Sequence, residues 1–396
     1  MMQISPEIQL FIREHSSDDV RVLALQAKKY PDIDMPTVIT QIAGRKVAAE
    51  KIPSWWEIEK IWYPKHLSLE QCSSEITARY KARLLQGDSL TDLTGGFGID
   101  CSFLATGFKS ATYVERQEEL CEIAAHNFPV LNLNHINIKN EDGVTYLQAM
   151  SPVDCLFLDP ARRNEHGGKT VAISDCEPNV AELEELLLQK ANRVMIKLSP
   201  MLDLSLALKE LKQTQEVHIL SVNNECKELL ILLGQTSPAE IAIHCVNLLT
   251  KGTQEEQHLV FTREQEQRSQ CTYTDSLGNY LYEPNASLLK AGAFRSIAAA
   301  YPVRKLHPNS HLYISDSFIE NFPGRIFRIV NQCSFNKKEV KENLADLKKA
   351  NVTVRNFPAT VAELRKRIHL AEGGDTYLFA STLNNGQKVL IRCEKV

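Results

Sequence analysis

The sequence predicts an α/β fold: a doubly wound, Rossmann-like parallel sheet, with a helical segment before it and a small α+β module after it. Three observations carry this. Between residues 90 and 233, short apolar runs alternate with amphipathic stretches, the pattern of buried parallel strands covered by helices on both faces. The first run ends in an acid and a glycine-rich turn, Asp92-Leu93-Thr94-Gly95-Gly96-Phe97-Gly98. Glycine permits left-handed backbone and lets a polar ligand approach the main chain; in doubly wound sheets such turns stand at the strands' carboxyl ends, where ligands bind. After Gly234 the pattern shifts to short alternating strands around a polar tract at 251–257.

A chain of 396 residues exceeds one ordinary core, so two or three domains are expected. Its 43% hydrophobic and 24% charged residues suit a globular protein. The first residues lack a basic and apolar leader, and no stretch reaches membrane-spanning length, so a cytoplasmic protein without membrane contact is expected. The ten cysteines show neither a Cys-x-x-Cys pair nor histidines at ligand spacing; they read as reduced, buried thiols, with no metal. A net charge of −4 hides an asymmetry, because residues 323–396 hold 14 Lys and Arg against 7 Asp and Glu.

Residues 1–88 read as helical, with apolar positions at helical intervals and an aromatic cluster of Trp55, Trp56, Trp62 and Tyr63 whose expected role is packing, with base stacking as the alternative. The pattern Ser68-Leu69-Glu70-Gln71 opens a helix expected to run to about residue 85. Strands follow at 90–94, 111–115, 135–138, 154–158, 193–198, 217–222 and 229–233, with helices at 99–107, 118–128 and 180–190 between them. Boundaries fall near residues 277 and 323. Beyond the second, a strand at 325–330, a helix at 337–349 and a strand at 352–356 precede a helix opened by the capping box Thr360-Val361-Ala362-Glu363 and stopped by Gly373-Gly374. A hairpin around Asn385-Gly386 ends the module.

Asp92, Glu115, Asp142 and Asp159 stand at four successive strand ends. A nucleoside lying across the strand tops uses all of them: Glu115 takes the ribose hydroxyls, Asp142 accepts from an adenine amino group, and Asp92 with Thr94, Gly95, Gly96, Phe97 and Gly98 holds an ammonium-bearing tail. Arg116, Gly143 and Asp100 flank these positions. A pyrophosphate would be repelled by Asp92, and the third glycine of the dinucleotide fingerprint is replaced by Cys101. The expected ligand is S-adenosylmethionine.

With these residues in view, Asp92 to Gly98 resembles the first motif of class I S-adenosylmethionine-dependent methyltransferases, Thr94 replacing the first glycine, as in some RNA guanine methyltransferases. Glu115, Asp142 and Asp159-Pro160-Ala161-Arg162 resemble the second, third and fourth motifs in order and spacing. Residues 68–85, Asn223 to Glu228, Glu283-Pro284-Asn285-Ala286 and residues 357–392 resemble a bacterial methyltransferase family in which a ferredoxin-like piece and a THUMP-like domain follow the catalytic domain. The resemblance implies a helical domain at 1–88, a methyltransferase domain at 89–276, a ferredoxin-like piece at 277–322 and a THUMP-like domain at 323–396.

It also implies that Asp159 and the carbonyl of Pro160 accept hydrogen bonds from a target amine. Arg162 replaces the aromatic that stacks on a flipped base in related enzymes; a guanidinium can stack or hold a phosphate or carboxylate instead. By position, Arg163 and Lys197 complete the expected substrate side, Lys197 pairing either with Asp159 at the sheet top or with a substrate phosphate, and a loop with His166 to Lys169 either closes over substrate or is plain surface. THUMP domains recognise RNA, so the resemblance implies RNA as partner, with Arg365, Lys366 and Arg367 supplying phosphate contacts. The expected activity is N-methylation of an RNA base, guanine slightly favoured. Small-molecule or protein methylation, and a non-catalytic RNA-binding module, stand as alternatives. Target base, RNA class and oligomeric state are not specified by the sequence.

Overall fold

The computed structural model describes residues 5–162, 172–252 and 254–396. The chain divides into two compact units, Met1–Gln215 with Leu230–Ser237, and Glu216–Leu229 with Pro238–Val396.

The first unit opens with helices α1 (Pro6–Glu14), α2 (Val20–Leu25), α3 (Met35–Lys51), α4 (Pro53–Trp56), α5 (His66–Gln71) and α6 (Glu75–Ala82). The helix expected over 68–85 is two. Cys72 and Ser74 adopt extended backbone between α5 and α6, and Ser74 becomes the N-cap residue of α6. The break has a physical reason: it carries the Ser73 hydroxyl to the Asp100 carboxylate, 2.7 Å away. Strand β1 (Ser89–Asp92), α7 (Ile99–Ala105), β2 (Ser110–Glu115), α8 (Glu118–Val130), β3 (Ile136–Asn140), α9 (Gly143–Ala149) and β4 (Val153–Leu158) follow. After a short hairpin of β5 (Ala161–Arg162) and β6 (Cys176–Glu177) come α10 (Val180–Lys190), β7 (Ala191–Leu198) and α11 (Leu204–Glu210). The strands β7-β4-β1-β2-β3 lie side by side in that order, all parallel. Order reverses at β1, where the chain first runs outward through β2 and β3 and then returns through β4. That switch point is where an open α/β sheet forms its crevice.

Trp55, Trp62 and Tyr63 of the N-terminal aromatic cluster pack in the core, whereas Trp56 is exposed beside Arg45. Trp55 meets Phe97 edge to face at 5.2 Å, in a core with Ile52, Tyr63 and Leu69. Trp62 stacks on His126 at 3.8 Å, and its backbone exchanges two 2.9 Å hydrogen bonds with the Asn127 side chain. All ten cysteines are free. No helix among the described residues is long and apolar enough to cross a membrane.

Strands β8 (Thr214–Val222) and β9 (Glu225–Gly234) each contribute residues to both units. In the second unit β8 pairs in parallel with β10 (Ala242–Leu248), which pairs antiparallel with β11 (Glu256–Phe261). Then come α12 (Arg263–Arg268), β12 (Tyr280–Pro284), α13 (Ala286–Ala291), α14 (Phe294–Ala300), β13 (Arg304–Lys305), β14 (Tyr313–Ser315), β15 (Gly324–Ser334), α15 (Lys337–Leu344), β16 (Asn351–Val354), α16 (Val361–Ile368), β17 (Thr376–Thr382) and β18 (Lys388–Lys395). Their strands form one sheet in the order β13-β14-β12-β15-β18-β17-β16. The capping box at Thr360 forms, but α16 closes at His369 in left-handed backbone (φ 58°), before the glycine pair expected to stop it. The hairpin of β17 and β18 is present, with Gly386 at φ 86°.

Two segments that carried the family resemblance act as braces in this unit. Asn223 and Asn224 turn the chain with positive φ, and Asn224 Oδ1 accepts from the Ala286 N–H at 2.8 Å. Glu283 is buried and pairs with both Arg325 and Arg355.

Candidate functional site

The glycine turn after β1 is shaped by its neighbours. A Cβ on Gly95 would lie 2.2 Å from the Tyr113 ring. Gly96 and Gly98 take φ of +55° and +88°, which other residues adopt at a cost. The Tyr113 hydroxyl donates to the Gly96 carbonyl at 2.5 Å, and the Gly95 N–H donates to the Val114 carbonyl at 2.8 Å. Thr94, which replaces the first glycine of the motif, uses its hydroxyl: Oγ1 accepts the Asp159 N–H at 2.6 Å, joining the turn after β1 to the turn after β4.

Three of the strand-end acids lie around this turn. Asp92 is fully buried, and its Oδ1 accepts from the Thr94 N–H at 2.9 Å while Oδ2 has no hydrogen-bond partner among the described residues. Burial pushes its carboxyl well above the usual range; the Thr94 N–H pulls the other way, and Asp100, Asp159 and Glu115 add repulsion. Glu115 accepts from the Gly96 N–H through Oε2 (2.9 Å) and from the Gln117 N–H through Oε1 (2.8 Å). Each carboxylate oxygen retains a further lone pair. Asp142 caps α9, taking the Val144 and Thr145 N–H groups on Oδ1, both at 3.0 Å. A side chain at Gly143 would lie 2.2 Å from the Leu93 carbonyl, so that turn also requires glycine.

Beneath these acids lies a cluster that sequence reasoning only partly reached. Lys81, 0% exposed at its side chain, reaches Asp100 Oδ1 at 2.8 Å. Lys197 lies 3.3 Å from Asp100 Oδ2 and 2.6 Å from Asp159 Oδ2. Ser73 Oγ donates to Asp100 and accepts from Lys81 at 2.7 Å and Lys197 at 3.1 Å. Burial acts to raise the Asp100 carboxyl, but Lys81 and Lys197 together outweigh it and hold it down at about 2. Asp159 differs. Burial beneath it raises its carboxyl despite Lys197, yet 40% of its side chain is exposed, so the push acts on a group still in touch with solvent. Two ammoniums and two carboxylates balance here, whereas Asp92 has no cation and leaves Oδ2 without a hydrogen-bond partner among the described residues.

Several expected contacts lie elsewhere. The Phe97 ring packs in the core against Trp55 and Tyr63, leaving only its backbone to meet a ligand. The Asp100 carboxylate is taken up by the two lysines. Arg116 is exposed and pairs with Glu177 at 3.3 Å. Pro160 is buried, and the fourth-motif turn leaves through β5, where Ala161 and Arg162 pair with Glu177 and Cys176. The Arg162 side chain, Arg163 and the loop with His166, Gly167, Gly168 and Lys169 lie outside the described residues. Lys81, on α6, is an internal counter-ion to Asp100.

In the C-terminal module much of the basic charge is internally paired. Arg325 and Arg355 hold Glu283, Arg328 pairs with Glu394, and Arg392 pairs with Asp346 at 2.9 Å. Arg365 is 18% exposed at its side chain and lies 3.7 Å from Glu372. Arg367 covers the Phe335 ring at 4.2 Å, while Lys366 is exposed.

Comparison with known proteins adds two kinds of match. Family profiles described as a ferredoxin-like domain and as THUMP domain-like match residues 280–323 and 324–395. Among solved structures, a "putative methyltransferase" from Porphyromonas gingivalis is 35% identical over 98% of this chain and 98% of its own, with a TM-score of 0.87. A ribosomal RNA methylase from Streptococcus thermophilus shares 14% identity over 40% of this chain and 93% of its own, at a TM-score of 0.30 that carries no argument. No curated protein matches the chain. The chain therefore belongs to the family of the Porphyromonas gingivalis protein, in which a Rossmann-like methyltransferase sheet is followed by ferredoxin-like and THUMP-like domains.

Proposed function

We propose that the protein is an S-adenosylmethionine-dependent methyltransferase acting on a nitrogen of an RNA base, with guanine slightly favoured. The observation that carries the cofactor assignment is the buried Asp92 carboxylate with one oxygen left without a partner, beside a glycine turn. A buried acid in that state calls for a cation, and the ammonium of the cofactor's amino-acid end is one. Glu115 and Asp142, at the next strand ends, retain acceptor capacity for ribose hydroxyls and an adenine amino group. When bound, the cofactor supplies an electrophilic methyl group, whose displacement requires alignment rather than a covalent nucleophile.

The chain's own contribution is then positional. Lys197 fixes Asp159 through Oδ2, leaving Oδ1 to accept an N–H of the target amine. The Thr94 hydroxyl holds the backbone of that same residue. The THUMP-like profile supports RNA as substrate, with exposed Lys366 and Arg367 available to phosphates.

Calorimetry with S-adenosylmethionine tests the first half; absence of binding would remove the enzyme reading. Incubating cellular RNA with methyl-labelled cofactor, followed by nucleoside mass spectrometry, tests the second: label in a methylated base is expected, and label confined to small molecules would overturn the RNA assignment. Asp159→Ala should abolish transfer and leave cofactor affinity within about two-fold, because Asp159 is assigned to the substrate side. A fully active variant would reject that role.

A further inference from the structure

The second unit carries a cluster of metal-ligating side chains far from the strand-end acids in sequence and independent of the methyltransferase reading. We propose that Glu216, His218 and His244 bind a divalent transition-metal ion, with His258 supporting His244 from behind.

The sheet brings these residues onto one face. His218 on β8 and His244 on β10 are register partners in the parallel pair. Glu216 precedes His218 by two residues, and alternation along a strand puts both on the same side. His258 on β11 faces Val246, two residues beyond His244, and so joins that side from the antiparallel neighbour. The ligand atoms of Glu216, His218 and His244 all lie within 4.8 Å of one another. Glu216 Oε2 is 3.4 Å from His218 Nε2 and 3.5 Å from His244 Nε2. Donors about 2.0–2.1 Å from a tetrahedral ion are separated by roughly 3.3 Å, so two of the three edges are already near that length.

His258 has a different part. Its Nε2 lies 3.2 Å from His244 Nδ1, the nitrogen pointing away from Glu216. A histidine ligand usually has its other ring nitrogen held by a hydrogen-bond partner, which fixes tautomer and orientation. Two imidazoles and one carboxylate form a borderline donor set that suits zinc, cobalt or nickel rather than calcium or magnesium. One adjustment is required. The His218 and His244 rings stack at 4.2 Å with 14° between their planes, whereas an ion lies in the plane of each ring that binds it. A turn of His244 about its outer torsion, which is soft for an imidazole, supplies the change, and His258, 34% exposed at its side chain, has to follow that turn to keep its contact with Nδ1. His218 is 3% exposed at its side chain and His244 20%, so His244 is the ring with room to turn. Bound there, the ion would link β8 to β10.

The test uses the full chain, stripped with chelator and titrated with cobalt(II). One ion per chain is expected, with a visible spectrum of nitrogen and oxygen ligation. Glu216→Gln and His244→Ala, both at partly exposed positions, should weaken cobalt affinity more than 10-fold. His258→Asn should weaken it about 10-fold to 100-fold, the range for an outer partner. The ion should raise the melting temperature of the wild type but not of His244→Ala. His218 is unsuited to the primary test, because a substitution at so buried a ring can unfold the strand. A thiolate-to-cobalt charge-transfer band would place the ion on one of the ten cysteines and overturn the proposal. So would absence of stoichiometric binding, or equal affinity in His244→Ala and wild type.

Discussion

Lys81 with Asp100 and Arg328 with Glu394 are the same kind of pair in different surroundings. The first is buried, shares its carboxylate with Lys197 and Ser73, and lies at the switch point of a parallel sheet. The second has side chains 62% and 51% exposed on a sheet surface. Water screens the second and leaves it little net energy. Burial makes the first a set of mutual obligations, because removing one member strands the others. The difference shows that charge in a sequence indicates chemistry where the fold forces it inward. In the basic module, where Arg325, Arg328, Arg355 and Arg392 already have carboxylate partners, net charge overstates what a polyanion would meet.

The comparison breaks most visibly under substitution. Lys81→Met should lower the unfolding free energy by about 3–5 kcal/mol, and Arg328→Ala by no more than about 1 kcal/mol, both read from denaturant midpoints. Equal losses would erase the distinction. Asp92→Asn should act in the opposite direction. The folded-state carboxyl is raised, so the stability associated with its protonated form is present at low pH and lost as pH rises through the folded value. The variant should therefore gain about 1–3 kcal/mol at neutral pH, flatten that pH dependence, and bind S-adenosylmethionine more weakly; a destabilised Asp92→Asn would contradict the uncompensated state of this acid. The smallest effect separates two neighbours on α16. Lys366→Glu should reduce the salt slope of RNA binding by about one to two units, whereas Arg365→Glu, at a residue paired with Glu372, should change it less. The reverse order would mean that exposure does not decide which cation meets phosphate.

What the sequence revealed follows the same division. An acid directly after an apolar run marks a strand end without further information, so Asp92, Glu115 and Asp159 were readable, as was the parallel sheet that aligns them. Neither end of this segment was readable: the capping pattern at Ser68 is not used, because α5 already starts at His66 with Lys65 as an N-cap that makes no side-chain bond, and the reason to interrupt the helix, Asp100, lies 27 residues beyond Ser73. The burial of Lys81 was not readable either, because its counter-ion Asp100 is likewise remote in sequence. The hairpin of β5 and β6 has two residues per strand, too few for any periodicity. Glycine was assumed to close α16 because it takes left-handed backbone most easily, but His369 does so four residues earlier. A search for metal ligands by sequence spacing could not join His218, His244 and His258, which only strand pairing brings together.

The hydroxyl of Thr94 has a consequence for order of events. Strand pairing already ties the starts of the two turns, with the Leu93 N–H on the Phe157 carbonyl at 3.0 Å; threonine adds a link that a glycine would lack, and it makes the Asp159 backbone answer to the turn itself. If cofactor shifts Thr94, it also shifts the residue that meets the target base, and linkage requires that the base alter cofactor affinity by the same factor. The two ligands would then report on each other through the Thr94 hydroxyl, and product release would loosen both partners together.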